Sequence, residues 1–337
     1  MDTYKHYIDF ASEYGLPYVI LDEGWYTPQS GDMLTVIPEL KLEELVDYGR
    51  SKNVGLILWT VFNVLDDQLD EACSRYSKLG IKGFKVDFLD RDDQEAVQMV
   101  YRLAEATAKH KLILNLHGIY KPTGLNRTYP NILNFEGVFG MEEVKWSKVE
   151  KDMMKYDVTM PFIRMMAGPL DYTPGAMRNA NKSEYRDIYN NPISQGTRCH
   201  QLAAYIIHDS PLTMLADNPT IYRQESECTE FISSIPNTGI EETRVLKGEL
   251  GEYIVTARRV GANWYIGGMT NWTARVLDLD LSFLNSDHYD FTLFKDGVNA
   301  DKNATDYKKE RGVLNNQSTI TIQLAPGGGF AIKLIKQ

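Results

Sequence analysis

Residues Gly80–Gln94 read GIKGFKVDFLDRDDQ, a β-prone core (GFKVDF) that ends on acidic residues and runs at once into a helix start. Beyond it Val97, Val100, Tyr101 and Ala104 recur at i, i+3, i+4 and i+7, the stripe of an amphipathic helix. Asp90, Asp92 and Asp93 stand where carboxylates favour a helix N-terminus. The stretch is therefore a strand followed by a helix, and the same text recurs on both sides of it. Pro17–Leu21 (PYVIL), Val54–Leu58 (VGLIL), Leu112–Leu116 (LILNL) and Ile132–Phe135 (ILNF) are nearly continuous apolar runs, as in strands of a parallel sheet covered on both faces. Helical stripes lie between them: Leu42, Leu45, Val46 and Gly49, then Leu65, Leu69, Ala72, Cys73 and Tyr76. Val158–Phe162 and Leu212–Ala216, around a helical Thr197–His208, bring the expected strands to seven.

Strands alternating with helices predict an α/β fold. Because the chain opens on a helix pattern (Tyr4, Ile8, Ala11), the expectation is a (β/α)8 TIM-type barrel over residues 1–240, lacking its first strand. An open doubly wound sheet is the alternative. No GxGxxG or Walker loop opens a helix, which removes the nucleotide-binding versions of that sheet. Beyond about residue 243 the text alternates without helices (TRVLKGELGEYIVTARRV, NWYIGGMTNW, ARVLDLDLSFL, YDFTLFKDG, STITIQLAPGGGFAIKLI), predicting a C-terminal antiparallel β-sandwich domain over 241–337.

The 337 residues carry 36 Lys and Arg against 46 Asp and Glu, a net charge of −10, with 43% hydrophobic residues. That composition excludes bulk disorder. It also disfavours nucleic acid as a partner, since such binding rests on neutralising phosphates with basic clusters. Apolar runs such as Val54–Val61 fall far short of the ~20 residues of a membrane span. Cys73, Cys199 and Cys228 have no metal-like spacing and make no disulfide framework. The N-terminus, MDTYKHYIDFASEYG, has neither the basic nor the apolar region of a secretory signal.

In a barrel the reactive groups stand at the C-terminal strand ends. Those ends offer Asp22, Glu23 and Trp25 after PYVIL, and Trp59 after VGLIL. Lys85 and Asp87 lie within GFKVDF, Asn115 and His117 within LILNLHG, and Glu136 after ILNF is followed by Glu142 and Glu143. Lys85 and Asp87, two apart on a strand, share a face; a catalytic carboxylate and a structural ion pair both fit. His117 reads equally as a substrate contact or a satisfied polar residue. Glu136 and Glu142, six apart across GVFG, suit a shared oxygen site for a hard cation or two solvated carboxylates. No GxSxG elbow, HExxH or CxxC pair is present. What remains is a carboxylate-rich mouth walled by Trp and Tyr, the arrangement that glycosidic cleavage needs.

Four segments, YKHYIDFASEYGLPYVILDEGWY, GIKGFKVDFLDRDDQ, LNLHGIYKPTGLNRTYPN and NFEGVFGMEEVKW, resemble glycoside hydrolase family 97. The resemblance implies an exo-acting bacterial α-glycosidase, periplasmic or secreted, with a barrel between an N-terminal β-sandwich and a C-terminal β-domain. It further implies that this sequence is a truncated version or fragment, lacking the N-terminal sandwich. Inverting members carry base glutamates at the ends of the third and fifth barrel strands; here those ends read WTVF and NLHG, with Gly118 at the second. Retaining α-galactosidases carry an Asp nucleophile on the fourth strand, where Asp87 stands. By the same resemblance Glu142 is the general acid/base, and Glu136, with Glu142, belongs to a calcium site. Asp22, Trp25, Trp59, Lys85 and His117 are the substrate-binding candidates. The implied substrate is an oligosaccharide or aryl α-galactoside. An α-glucosidase of the same family, a carbohydrate-binding barrel without catalysis and a Schiff-base aldolase using Lys85 are the alternatives.

Overall fold

The structure, a computed structural model, describes residues 1–27, 31–146, 151–285 and 288–337. It comprises two compact units, one from residues 1–138, 167–171 and 210–212, the other from 139–166, 172–209 and 213–337.

The first unit repeats strand and helix. Its elements are α1 (Asp2–Glu13), β1 (Tyr18–Leu21), α2 (Leu42–Ser51), β2 (Gly55–Val61), α3 (Phe62–Asp67), α4 (Leu69–Leu79), β3 (Gly83–Asp87), α5 (Gln94–Lys109), β4 (Ile113–Leu116), α6 (Leu125–Thr128) and β5 (Ile132–Phe135). The five strands form one parallel sheet in the order β1-β2-β3-β4-β5. A doubly wound sheet reverses its strand order at a switch point. Here sheet order equals chain order, the winding of a barrel wall. Leu56, Ile57, Leu58, Phe84, Val86 and Leu114 are buried, because helices cover one face and the strands' own inward side chains fill the other.

The second unit holds α7 (Met153–Asp157), two-residue strands β6 (Asn179–Ala180) and β7 (Ser194–Gln195), α8 (Arg198–Ile207), α9 (Pro219–Gln224) and α10 (Ser226–Ser233). Then come β8 (Glu242–Glu249), β9 (Tyr253–Val260), β10 (Asn263–Thr270), β11 (Arg275–Asp280), β12 (Tyr289–Asp296), β13 (Tyr307–Leu314), β14 (Thr319–Leu324) and β15 (Gly329–Lys336). A six-stranded antiparallel sheet, β13-β12-β15-β10-β9-β8, and the β11-β14 pair bury Ile266, Leu277, Leu279, Ile322 and Ile332 in one core. The chain thus carries a parallel α/β sheet and a C-terminal antiparallel β-domain. The wholly buried α8 lies against this sheet because two glycines let the backbones touch: a Cβ at Gly267 would sit 2.8 Å from the Ala203 carbonyl oxygen, and one at Gly329 2.8 Å from the His200 nitrogen.

Several expected elements differ. Val158–Phe162 is no strand; it follows α7 and enters a 3-10 turn, Met160–Phe162, because Pro161 lacks the N–H of a ladder yet suits a first helical turn. Leu212–Ala216 is irregular, and the Leu212 carbonyl accepts from Asn134 Nδ2 instead (2.7 Å). The stripe from Leu65 to Tyr76 divides at Gln68 between α3 and α4. Among the described residues no helix is long and apolar enough to cross a membrane.

Candidate active site

The register of the parallel sheet assembles the site. Trp59 pairs with Lys85, Lys85 with Asn115 and Asn115 with Asn134, so these four form one level across β2 to β5. Side chains alternate along a strand, and the residues two positions on repeat the same face. That second level, nearer the strand ends, holds Val61, Asp87, His117 and Glu136. The lower level is buried, at 3, 8, 1 and 0% exposure for Trp59, Lys85, Asn115 and Asn134. The upper level opens to solvent at Asp87 and Glu136.

Asp87 ends β3, and both its oxygens are held: Oδ1 accepts from the Phe88 N–H at 2.8 Å and Oδ2 from Trp59 Nε1–H at 3.2 Å. Phe88 has φ +61° and Asp90 φ +50°, left-handed conformations that side chains with a Cβ seldom adopt. The Asp90 N–H donates to the Gly118 carbonyl at 2.7 Å, which fastens this bend to the end of β4. Lys85 Nζ lies 3.4 Å from Asp22 Oδ2 on the exposed end of β1. Trp25 is 0% exposed, and its Nε1–H donates to the Trp59 carbonyl at 2.7 Å; it reaches the site through the backbone of Trp59.

His117 sits between two carboxylates, Nε2 at 2.8 Å from Asp171 Oδ2 and Nδ1 at 3.3 Å from Glu136 Oε1. Burial alone lowers its pKa, but the bonds to Asp171 and Glu136 outweigh that and raise it to about 9, so the ring is an imidazolium at neutral pH. Asp171 also accepts from Asn115 Nδ2 at 2.9 Å. Glu136 Oε2 accepts the Gly118 N–H at 2.9 Å. Gly118, at φ +52°, admits no side chain without movement, since a Cβ would stand 2.8 Å from the Phe88 nitrogen and 3.0 Å from Asp90 Oδ1.

Glu142 belongs to the second unit, in a 3-10 turn over Met141–Lys145, with its side chain 57% exposed and Lys145 Nζ 3.8 Å from Oε1. The turn is fastened at both ends, by the Met141 N–H to the Tyr172 carbonyl (2.8 Å) and by Tyr185 OH to the Val144 carbonyl (3.0 Å). Tyr172 is held in turn by Asp157, which also meets His200 Nε2 at 3.1 Å.

A calcium ion takes about six to eight oxygens. Among the described residues no three acidic, His or Cys side chains gather to hold a metal ion, and both oxygens of Glu136 already serve Gly118 and His117. Asn115 Oδ1 and Asp171 Oδ1, buried and without a hydrogen-bond partner among the described residues, are too few to complete a cage. These residues do not by themselves fit calcium.

Sequence reasoning missed Asp171, which the short 167–171 segment carries to the sheet from a stretch with no strand or helix pattern. It also passed over Asn134, legible in hindsight as the polar interruption of ILNF.

A family model described as "Glycoside hydrolase 97" matches residues 1–138, and one described as "Glycosyl-hydrolase 97 C-terminal, oligomerisation" matches 239–335. A retaining α-galactosidase of Bacteroides thetaiotaomicron is 55% identical over 98% of this chain and 50% of its own length. A probable retaining α-galactosidase of Streptomyces bingchenggensis is 29% identical over 97% and 48%. The chain thus spans about half the length of the curated relatives it matches. Among solved structures, a family 97 enzyme from Pseudoalteromonas sp. strain K8 in complex with acarbose superposes with TM-score 0.91 at 28% identity, covering 100% of this chain and 56% of that one. A β-arabinopyranosidase superposes at 0.82 with 26% identity, over 98% and 52%.

Proposed function

The chain belongs to glycoside hydrolase family 97, and we propose that it serves a retaining, exo-acting α-glycosidase that removes terminal α-galactosyl residues from oligosaccharides or aryl galactosides. The observation that carries this reading is Asp87, a strand-end carboxylate oriented by two donors in a polar, Trp-lined layer. In the first step an Asp87 oxygen bonds to the anomeric carbon as the bond to the leaving oxygen breaks, and protonated Glu142 hands its proton to that oxygen. In the second, ionised Glu142 takes a proton from water, whose oxygen displaces Asp87 and regenerates the carboxylate. Trp59 and the Phe88 N–H fix the attacking oxygens and Lys85 and Asp22 serve as polar contacts to the sugar, while His117, expected as a contact, has both ring nitrogens engaged by Asp171 and Glu136 and acts by orienting Glu136.

Gly118 favours the retaining branch over an α-glucosidase of inverting type. A second base glutamate at this position would need a side chain where Phe88 and Asp90 leave no room. The substrate reading is also in keeping with the printed name of the 55% identical relative. With this proposal go a catalytic barrel over 1–240, a β-sandwich over 241–337, self-association through the latter and a periplasmic or secreted location. Calcium, with Glu136 and Glu142 among its ligands, stays an expectation of the family likeness.

The test is hydrolysis of an aryl α-galactoside by the intact protein, with proton NMR reading the first-formed anomer. An α-anomer is expected, Asp87→Asn should abolish turnover, and azide should partly restore Asp87→Gly. Sugar binding without turnover by the wild type would instead select the non-catalytic barrel.

A further inference from the structure

We propose that Trp146 and Tyr189 form a platform for the leaving group, shaped to stack the C–H face of the second hexose of an α-galactosyl oligosaccharide; this rests on Glu142 being the acid/base. Trp25, Trp59 and Trp264 are at most 4% exposed, whereas Trp146 stays 48% exposed and Tyr189 65%. Their rings lie 6.2 Å apart at 31°, two neighbouring faces open to solvent.

The turn that carries Glu142 builds the platform. In a 3-10 helix side chains three apart eclipse, which sets Glu142 over Lys145 and Glu143 over Trp146. Both pairings are present, Lys145 Nζ at 3.8 Å from Glu142 and Trp146 Nε1–H donating to Glu143 Oε2 at 2.7 Å. The second bond fixes the indole orientation. Tyr189 spans the two rows, with Lys145 Nζ 5.8 Å from its ring centroid and Trp146 beside it. Tyr185 ties the segment bearing Tyr189 to the turn through the Val144 carbonyl.

The chemistry then names the occupant. A general acid touches the leaving oxygen, so groups on its own turn flank the leaving side of the scissile bond rather than the galactosyl side. An open pair of rings edged by an ammonium and a carboxylate matches a pyranose, which presents an apolar face and a rim of hydroxyls.

The experiment compares the wild-type intact protein with Trp146→Ala, Tyr189→Ala and Trp146→Phe on two substrates. One is an α-1,6-linked galactosyl-glucose; the other is α-galactosyl fluoride, whose leaving group has no ring. The expected result is that each Ala variant loses about tenfold more kcat/KM on the disaccharide than on the fluoride. Trp146→Phe should recover most of the difference. Equal losses on both substrates, or none on the disaccharide, overturn the platform and mark the rings as a structural or protein-contact patch. A wild type inert toward the fluoride overturns the galactosidase reading first, and this inference with it.

Discussion

Trp59 connects the core to the carboxylate that ends β3 through one residue: its carbonyl receives Trp25 from below, and its indole N–H holds Asp87 Oδ2 above. A hydrogen bond to a charged group is worth roughly 1.5–3 kcal/mol. Trp59→Phe keeps most of the packing and removes the donor, so kcat/KM on an aryl α-galactoside should fall by about 10- to 100-fold with a small change in urea midpoint. Trp25→Phe should show the opposite balance, a loss of roughly 1–3 kcal/mol in stability from the unpaired Trp59 carbonyl and a smaller effect on rate. A variant of Trp25 that spared stability yet abolished binding would make it a sugar contact after all. Asp171 offers a second check, because it orients both Asn115 and His117. Asp171→Asn keeps the shape and removes the charge; with imidazolium and Glu136 left to each other, kcat should drop at least about tenfold while KM moves less.

Among the elements, those built by local periodicity were legible and those built by tertiary contact were not. α2 buries Leu42, Leu45, Val46 and Gly49, the stripe its spacing implies. α5 starts where expected, with Asp93 as N-cap accepting the Ala96 N–H at 3.0 Å, but its buried face is turned: Met99, Val100, Leu103 and Ala104 face inward while Tyr101 is 50% exposed. Tyr101 matches an apolar pattern yet packs edge-on against Tyr129 at the surface. β13 (YKKERGVL) was overlooked because a charged edge strand carries no apolar signal, its Lys and Glu residues guarding the open ladder. The polar levels at the sheet's end, Asn134 apart, were legible as strand-end residues, since alternation is a backbone property. Their partner Asp171 was not, because a loop places it. Asp93→Ala tests the local logic: it should lower the midpoint of thermal unfolding and leave kcat unaltered. A large activity loss would mean that the Asp90–Asp93 bend, not the cap alone, feels the change.

For the whole molecule, pH acts through buried groups whose shifts oppose one another. In the β-domain unit, burial pushes the Asp296 carboxyl up to about 6 despite donors from Thr197 Oγ1 (2.6 Å), the Ala325 N–H (2.9 Å) and the Gly329 N–H (3.0 Å). In the same unit, burial lowers His208 to about 4, outweighing the nearby Asp157, and the ring packs on Tyr172. A raised carboxyl binds its proton more tightly in the fold than in the unfolded chain. Its contribution is therefore present at pH below about 3.8 and is lost as pH rises through 6. A depressed histidine works in reverse, contributing fully above about 6.5 and losing that contribution as pH falls toward 4. Each amounts to roughly 3 kcal/mol, so between pH 4 and 6.5 the two nearly cancel. Asp296→Asn removes one side of the balance. Relative to the variant, the wild type should then lose roughly 3 kcal/mol of stability as pH rises from 4 to 6.5, read from urea midpoints at intervals across that range. His208→Gln should give the mirror-image difference. If the Asp296→Asn difference stayed flat with pH, the Asp296 carboxyl would be ionised throughout, held by its three donors against the cost of burial.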